Sequence, residues 1–219
     1  MKARVVALSL LALVTPVHAR QQKKVIVKKV KKNMKKTDLV EVIKINPTIK
    51  TEILYATKNN FTKQILYKVP KAFARRGTAL KLDAVQKELA AKGLGLKIWD
   101  AYRPLSVQKK LWEIFPNEDM VANPAKGSKH NRGCAIDLTL ISLKTGTELE
   151  MPTPFDEFSE RAHVGYTKGL SEEVIANRTL LITVMEKHGF KGYENEWWHF
   201  NDSDMAEYDL MDVPFEKLI

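Results

Sequence analysis

The sequence predicts an α+β domain in which an antiparallel sheet carries helices packed on one side. Three observations lead there. Beyond the N-terminal tail, short strand-like segments alternate with turn residues, one pair of them in hairpin relation, and three segments repeat apolar residues at helical spacing. Beyond residue 36 the chain has no internal repeat and no apolar run long enough to cross a bilayer. With 219 residues and 44% hydrophobic content, it can bury a sizeable core without staples.

Taken in order, the chain begins with Lys2 and Arg4, an apolar run from Val5 to Val14, and a small-residue cleavage pattern at Val17-His18-Ala19. Residues 1–19 therefore read as a secretory signal in preference to a buried helix, and an exported, periplasmic or secreted, protein is expected. An intact mass of exported protein still beginning at Met1 contradicts this. Residues 20–36 form a Lys-rich tail. Ile26, Val30 and Met34 have the spacing of an amphipathic helix for an anionic membrane surface. The β-branched residues disfavour that helix, so a solvated linker attracted to anionic envelope polymers is the preferred reading.

Residues 1–36 hold eleven Lys/Arg and no acid, which leaves 25 basic against 26 acidic residues in the remainder. The net charge of +10 thus belongs to the tail, and a nucleic-acid-binding body is not expected.

The body, residues 37–219, reads as one domain. Leu39–Ile45 and Ile53–Ala56 have strand character. A helix spans about Leu80 to Lys92 on the spacing of Leu82, Val85, Gln86 and Leu89, with Gly93 to stop it. Leu94–Trp99 is a buried strand that delivers Asp100-Ala-Tyr-Arg-Pro104, and a second helix follows from Ser106, a suitable N-cap, to Phe115. Cys134–Ile141 is a strand, and Lys144-Thr-Gly146 forms the turn of a hairpin returning through Glu148–Met151. Met151–Tyr166, with two prolines, is a long functional loop. The last helix starts near Ser171, with Glu172 and Glu173 at its positive end, and Gly189 ends it. Strands around Phe190–Glu194 and Trp197–Phe200 close the sheet.

The chemistry concentrates in Ser128-Lys-His-Asn-Arg-Gly-Cys-Ala-Ile-Asp137 and Glu196-Trp-Trp-His199. His130, Asp137 and His199 supply two imidazoles and a carboxylate, the kind of set with which catalytic zinc sites keep a fourth position for water. Strand alternation puts Asp137 on one face with Ala135 and Thr139. His130 precedes Gly133, where the chain can bend sharply, and His199 comes from a neighbouring strand. A single zinc site at the sheet centre is expected, although iron, cobalt or nickel also suit these ligands. Glu196, three residues before His199, is suited to take a proton from water. Arg103, biased away from helix by Pro104, offers a permanent cation to charge growing on a carbonyl oxygen.

The remaining reactive residue types have plainer readings. Cys134 is the only cysteine, so no intramolecular disulfide forms; between Gly133 and Ala135 it reads as a small packing residue. His188 complements a helix end, and His163 stabilises a loop. Trp197 and Trp198 read as core strand residues, one of them a pocket wall.

Trp99-Asp-Ala-Tyr-Arg-Pro104, Ser128-x-His130-x-x-Gly133-x-Ala135-x-Asp137, Phe155-Asp-Glu-Phe-Ser-Glu-Arg161 and Glu196-Trp-Trp-His199 together resemble the VanX-like D-alanyl-D-alanine dipeptidases, zinc peptidases of cell-wall metabolism. The likeness reaches back to Tyr55-Ala-Thr-x-x-Asn-Phe61 and covers roughly Ile53–Phe200. It implies His130, Asp137 and His199 as zinc ligands, Glu196 as catalytic base and Arg103 as stabiliser of the tetrahedral intermediate. It further implies that Tyr55, Ser128 and Asp156 hold a small dipeptide, with Asp156 on its ammonium. The expected reaction is hydrolysis of D-alanyl-D-alanine. The alternatives are a D,D-carboxypeptidase acting on peptidoglycan stem peptides and a non-catalytic wall-binding module. The family's resistance enzymes act in the cytoplasm, so an exported member implies turnover of wall peptides or scavenging.

Overall fold

The computed structural model describes residues 34–118 and 120–219. The stretch read as a secretory signal and nearly all of the basic tail lie outside the described residues. No described helix is long and apolar enough to cross a membrane.

Seven strands and four α-helices make up the body: β1 (Leu39–Glu41), α1 (Val42–Ile45), β2 (Lys50–Thr51), β3 (Phe73–Arg75), α2 (Arg76–Ala90), β4 (Leu94–Asp100), α3 (Leu105–Ile114), β5 (Ala135–Ser142), α4 (Glu172–Lys187), β6 (Phe190–Tyr193) and β7 (Glu196–Asp202). Five strands form the main sheet in the order β2-β4-β5-β7-β6, and β1 pairs with β3 in a separate two-stranded sheet. The main sheet is antiparallel except at its edge, where β2 runs parallel to β4. This corrects the purely antiparallel expectation.

Helices α2 and α4 touch one another and both touch the sheet, so they share one side of it, as expected. The helical face of α2 is the one the spacing predicts: Leu82, Val85, Gln86 and Leu89 are all buried. The helix begins earlier, at Arg76, directly from β3. Ser171 caps α4, its Oγ accepting from the Val174 N–H at 3.2 Å, and Gly189 follows the helix with φ of 83°.

Four local expectations are corrected. Leu39–Ile45 is a three-residue strand followed by one helical turn, because the Val42 N–H bonds the Ala72 carbonyl at 2.9 Å and the β1–β3 pairing ends there. Leu54–Ala56 is a 3-10 turn, and the extended stretch before it is β2. Pro104, not Ser106, stands at the start of α3, where a missing N–H costs nothing. The return strand after Gly146 is reduced to a single bridge between Ile141 and Glu148.

Candidate active site

The site is built at one end of the three middle strands. In β5 the alternation sends Asp137 to the same face as Ala135 and Thr139, and the register places Asp137 directly opposite His199 on β7 and Asp100 on β4. His130 arrives on a 3-10 turn, His130–Arg132, closed by Gly133 at φ 72°. A side chain at 133 is strained in that left-handed conformation, and its Cβ would lie 2.9 Å from Leu39 Cδ2. The turn therefore depends on glycine, and through it so does the entry of His130.

Three ligand-type atoms meet. His130 Nε2 lies 3.3 Å from Asp137 Oδ2 and 3.3 Å from His199 Nδ1, and His199 Nδ1 lies 3.0 Å from Asp137 Oδ1. Tetrahedral bonds of the length zinc makes to nitrogen and oxygen give ligand–ligand edges of about 3.4 Å. The outer ring nitrogens are already bonded. His130 Nδ1–H donates to the Ala101 carbonyl at 2.7 Å, and His199 Nε2–H donates to Asn201 Oδ1 at 3.1 Å. These tautomers, assigned from their acceptors, direct two nitrogen lone pairs and a carboxylate at one point. Such a cluster repels itself unless it takes up positive charge. Its titration follows: burial pushes the Asp137 carboxyl up, but His130 and His199 outweigh that and hold it below the usual carboxylate range. Burial depresses His199, yet its bond to Asp137 prevails and raises it to about 9. The donor set fits a divalent cation.

Glu196 opens β7, with Oε2 3.8 Å from His199 Nδ1. Burial raises its carboxyl pKa, against the lowering influence of His199.

Arg103 is buried beside the same cavity and held on three sides. Its Nη2 donates to Asp100 Oδ2 at 2.6 Å, its Nη1 to Gln108 Oε1 at 2.9 Å, and its Cζ stands 5.1 Å from the centre of the Tyr55 ring. Nε adds contacts to Asp100 Oδ2 at 3.2 Å and Tyr67 OH at 3.3 Å. Burial works against the guanidinium, but Asp100 more than offsets it and keeps Arg103 charged. Of five N–H groups, one on each terminal nitrogen has no bond among the described residues.

Asp100 is the hub of this arrangement. Fully buried, it accepts from Tyr67 OH at 2.8 Å and from the Ala101 N–H at 2.9 Å, and its Oδ2 also lies 3.7 Å from His130 Nδ1. A second clamp is Asn131, which accepts from the Ser128 N–H at 2.7 Å and donates to the Arg103 carbonyl at 2.8 Å.

Asp156 has φ of 61°, a conformation uncommon outside glycine. Its Oδ1 accepts from Tyr55 OH at 3.3 Å, while Oδ2 is enclosed without a partner among the described residues. Burial, reinforced by Asp137, raises its carboxyl well above the usual range.

All eight residues singled out from the sequence, namely His130, Asp137, His199, Glu196, Arg103, Tyr55, Ser128 and Asp156, line one cavity of about 250 Å³. Trp198 forms part of its wall, whereas Trp197 is buried and its Nε1–H donates to Thr153 Oγ1 at 2.9 Å. Cys134 is fully buried, its thiol pushed up to about 12 chiefly by burial, consistent with a packing role. His188 pairs with Glu88 at 2.8 Å, away from the cavity. The sequence reading missed Asp100, Gln108, Asn131, Tyr67 and Asn201. Asp100, Asn131 and Asn201 lie in or beside the motifs, and a polar residue in such a place was the available signal. Tyr67 and Gln108 had none.

Comparison with known proteins follows the same line. A family model described as D-ala-D-ala dipeptidase matches residues 35–217. The D-alanyl-D-alanine dipeptidase of Escherichia coli (strain K12) is 36% identical over 183 residues, covering 84% of this chain and 94% of that protein. The D-alanyl-D-alanine dipeptidase of Enterococcus faecalis (strain ATCC 700802 / V583) is 34% identical over 187 residues, covering 76% and 88%. Among solved structures, the LdcB LD-carboxypeptidase overlays with a TM-score of 0.44 at 21% identity, covering 85% of this chain and 81% of that one, a likeness too slight to bear on function.

Proposed function

The chain belongs to the D-ala-D-ala dipeptidase family of metallopeptidases, and on that premise we propose that it hydrolyses the free dipeptide D-alanyl-D-alanine with zinc held by His130, Asp137 and His199. Zinc, when bound, supplies Lewis-acid polarisation of the scissile carbonyl and lowers the pKa of water. The chain's own residues do the rest. Glu196 takes the proton from the attacking water and returns it to the departing amine. Arg103, with one N–H on each terminal nitrogen unbonded among the described residues, donates to the oxygen on which charge develops. Tyr55 and Ser128 line the cavity on which the dipeptide is held.

The observation that carries the dipeptide reading is Asp156 Oδ2, a carboxylate oxygen enclosed without a partner among the described residues, in the same cavity as the ligand cluster. A buried acceptor of that kind calls for a cationic donor, and a free dipeptide brings an ammonium where a longer peptide brings an amide. Export, proposed from the signal-like start, makes wall-peptide turnover or dipeptide scavenging the biological setting.

Incubation of the full chain with D-alanyl-D-alanine, followed through released D-alanine, tests the proposal. Release is expected to fall at least about 100-fold on chelation and to return with zinc. Chelator-insensitive release, or faster cleavage of a pentapeptide than of the dipeptide, overturns it.

The ammonium contact has its own pH signature. Because the Asp156 carboxyl is raised, it takes up a proton at a pH above the usual carboxylate range, and in that form it no longer pairs with an ammonium. KM for the dipeptide is therefore expected to rise as pH falls through that value. Asp156→Asn should raise KM about 10–100-fold and flatten its pH dependence, the loss of one charge-assisted bond. An unchanged KM profile in that variant removes Asp156 from substrate binding.

A further inference from the structure

We infer that Asn201 is a positioning residue for the metal centre: by accepting the His199 Nε2–H, it commits the Nδ1 lone pair of that ring to the cluster with His130 and Asp137. The inference rests on the proposed zinc reading. The two imidazoles enter the cluster through different atoms, His130 by Nε2 and His199 by Nδ1. A main-chain carbonyl, Ala101 O at 2.7 Å, orients His130, and no side-chain substitution removes it. His199 depends on one replaceable group, Asn201 Oδ1 at 3.1 Å.

The placement follows from β7. His199 and Asn201 are two apart and share a face, and the main chain at Asn201 is paired on both sides, with Ala135 of β5 and Lys191 of β6. Asn201 also lines the cavity, and its side chain has no other recorded bond among the described residues. A neutral imidazole carries a single N–H. Without an acceptor on its outer side, that hydrogen is free to settle on Nδ1 and occupy the lone pair a metal requires. The acceptor is an amide oxygen and not a carboxylate. Among the three cluster residues Asp137 is thus the only formal negative charge, and a neutral amide at 201 adds none beside the nearby Glu196 carboxylate.

The experiment is a zinc competition against a chromogenic chelator, run on the full chain as wild type, Asn201→Leu and Asn201→Asp. Leucine is expected to weaken zinc about 10–100-fold, whereas aspartate, still an acceptor, is expected to bind zinc at least as tightly as wild type. Asn201→Asp should nonetheless turn over the dipeptide more slowly, since it adds a further negative charge to a site that already holds Asp137 and Glu196. If circular dichroism shows Asn201→Leu unfolded, Asn201→Ala gives the same comparison. Wild-type chain that takes up no zinc overturns the metal reading itself. Wild-type chain that binds zinc, with leucine and alanine variants within threefold of it, overturns the role of Asn201 alone. Equal weakening by leucine and aspartate does the same, because an oxygen acceptor would then make no difference.

Discussion

Replacing Glu196 with glutamine is expected to lower kcat for D-alanyl-D-alanine about 10²–10⁴-fold while zinc content and fold stay as they are. Glutamine keeps the size of the side chain and one acceptor oxygen but cannot take up a proton. The carboxylate lies 3.8 Å from His199 Nδ1, close enough to reach a water at the cluster, and it is not one of the three converging atoms. Loss of turnover with full zinc is the signature of a base, whereas loss of zinc would mark a fourth ligand. A glutamine variant within tenfold of wild type, at full metal content, would remove Glu196 from the reaction.

Arg103→Met should show the second large effect, and it has two parts. Turnover should fall about 10²–10³-fold, as when one oxyanion donor is lost. Stability should fall by about 3–5 kcal/mol, because Asp100 would be left buried with its charge uncompensated. Arg103→Lys separates the two. Lysine restores a cation for Asp100 but not the fork that bonds Asp100 and Gln108 while keeping N–H groups free, so stability should recover further than kcat. Urea unfolding and steady-state kinetics on the same preparations measure both. If Arg103→Met matches wild type in kcat, the oxyanion role is wrong whatever happens to stability.

Much of this site was legible because its signals are local. Gly133 had to follow His130 for the turn, strand alternation fixed the face of Asp137, and Pro104 held Arg103 out of a helix. The buried stripe of α2 and the Ser171 cap of α4 were readable for the same reason, since each depends on residues within one or two turns of helix. Expectations failed where partners are distant. Leu39–Ile45 has strand composition throughout, yet its strand lasts only as long as its pairing with Phe73–Arg75, a segment too short to announce itself. The parallel edge strand β2 is two residues long and leaves almost no periodicity to detect. Tyr67 reaches Asp100 across 33 residues, and Gln108 reads as one more polar residue on a helix until the fold turns it toward Arg103.

Asp100 gives this architecture a shared point of failure. One enclosed carboxylate steadies Arg103, the proposed oxyanion donor, and sits beside the outer edge of His130, a proposed metal ligand. Any exchange there disturbs both functions at once, so the two cannot be adjusted independently by drift at that position.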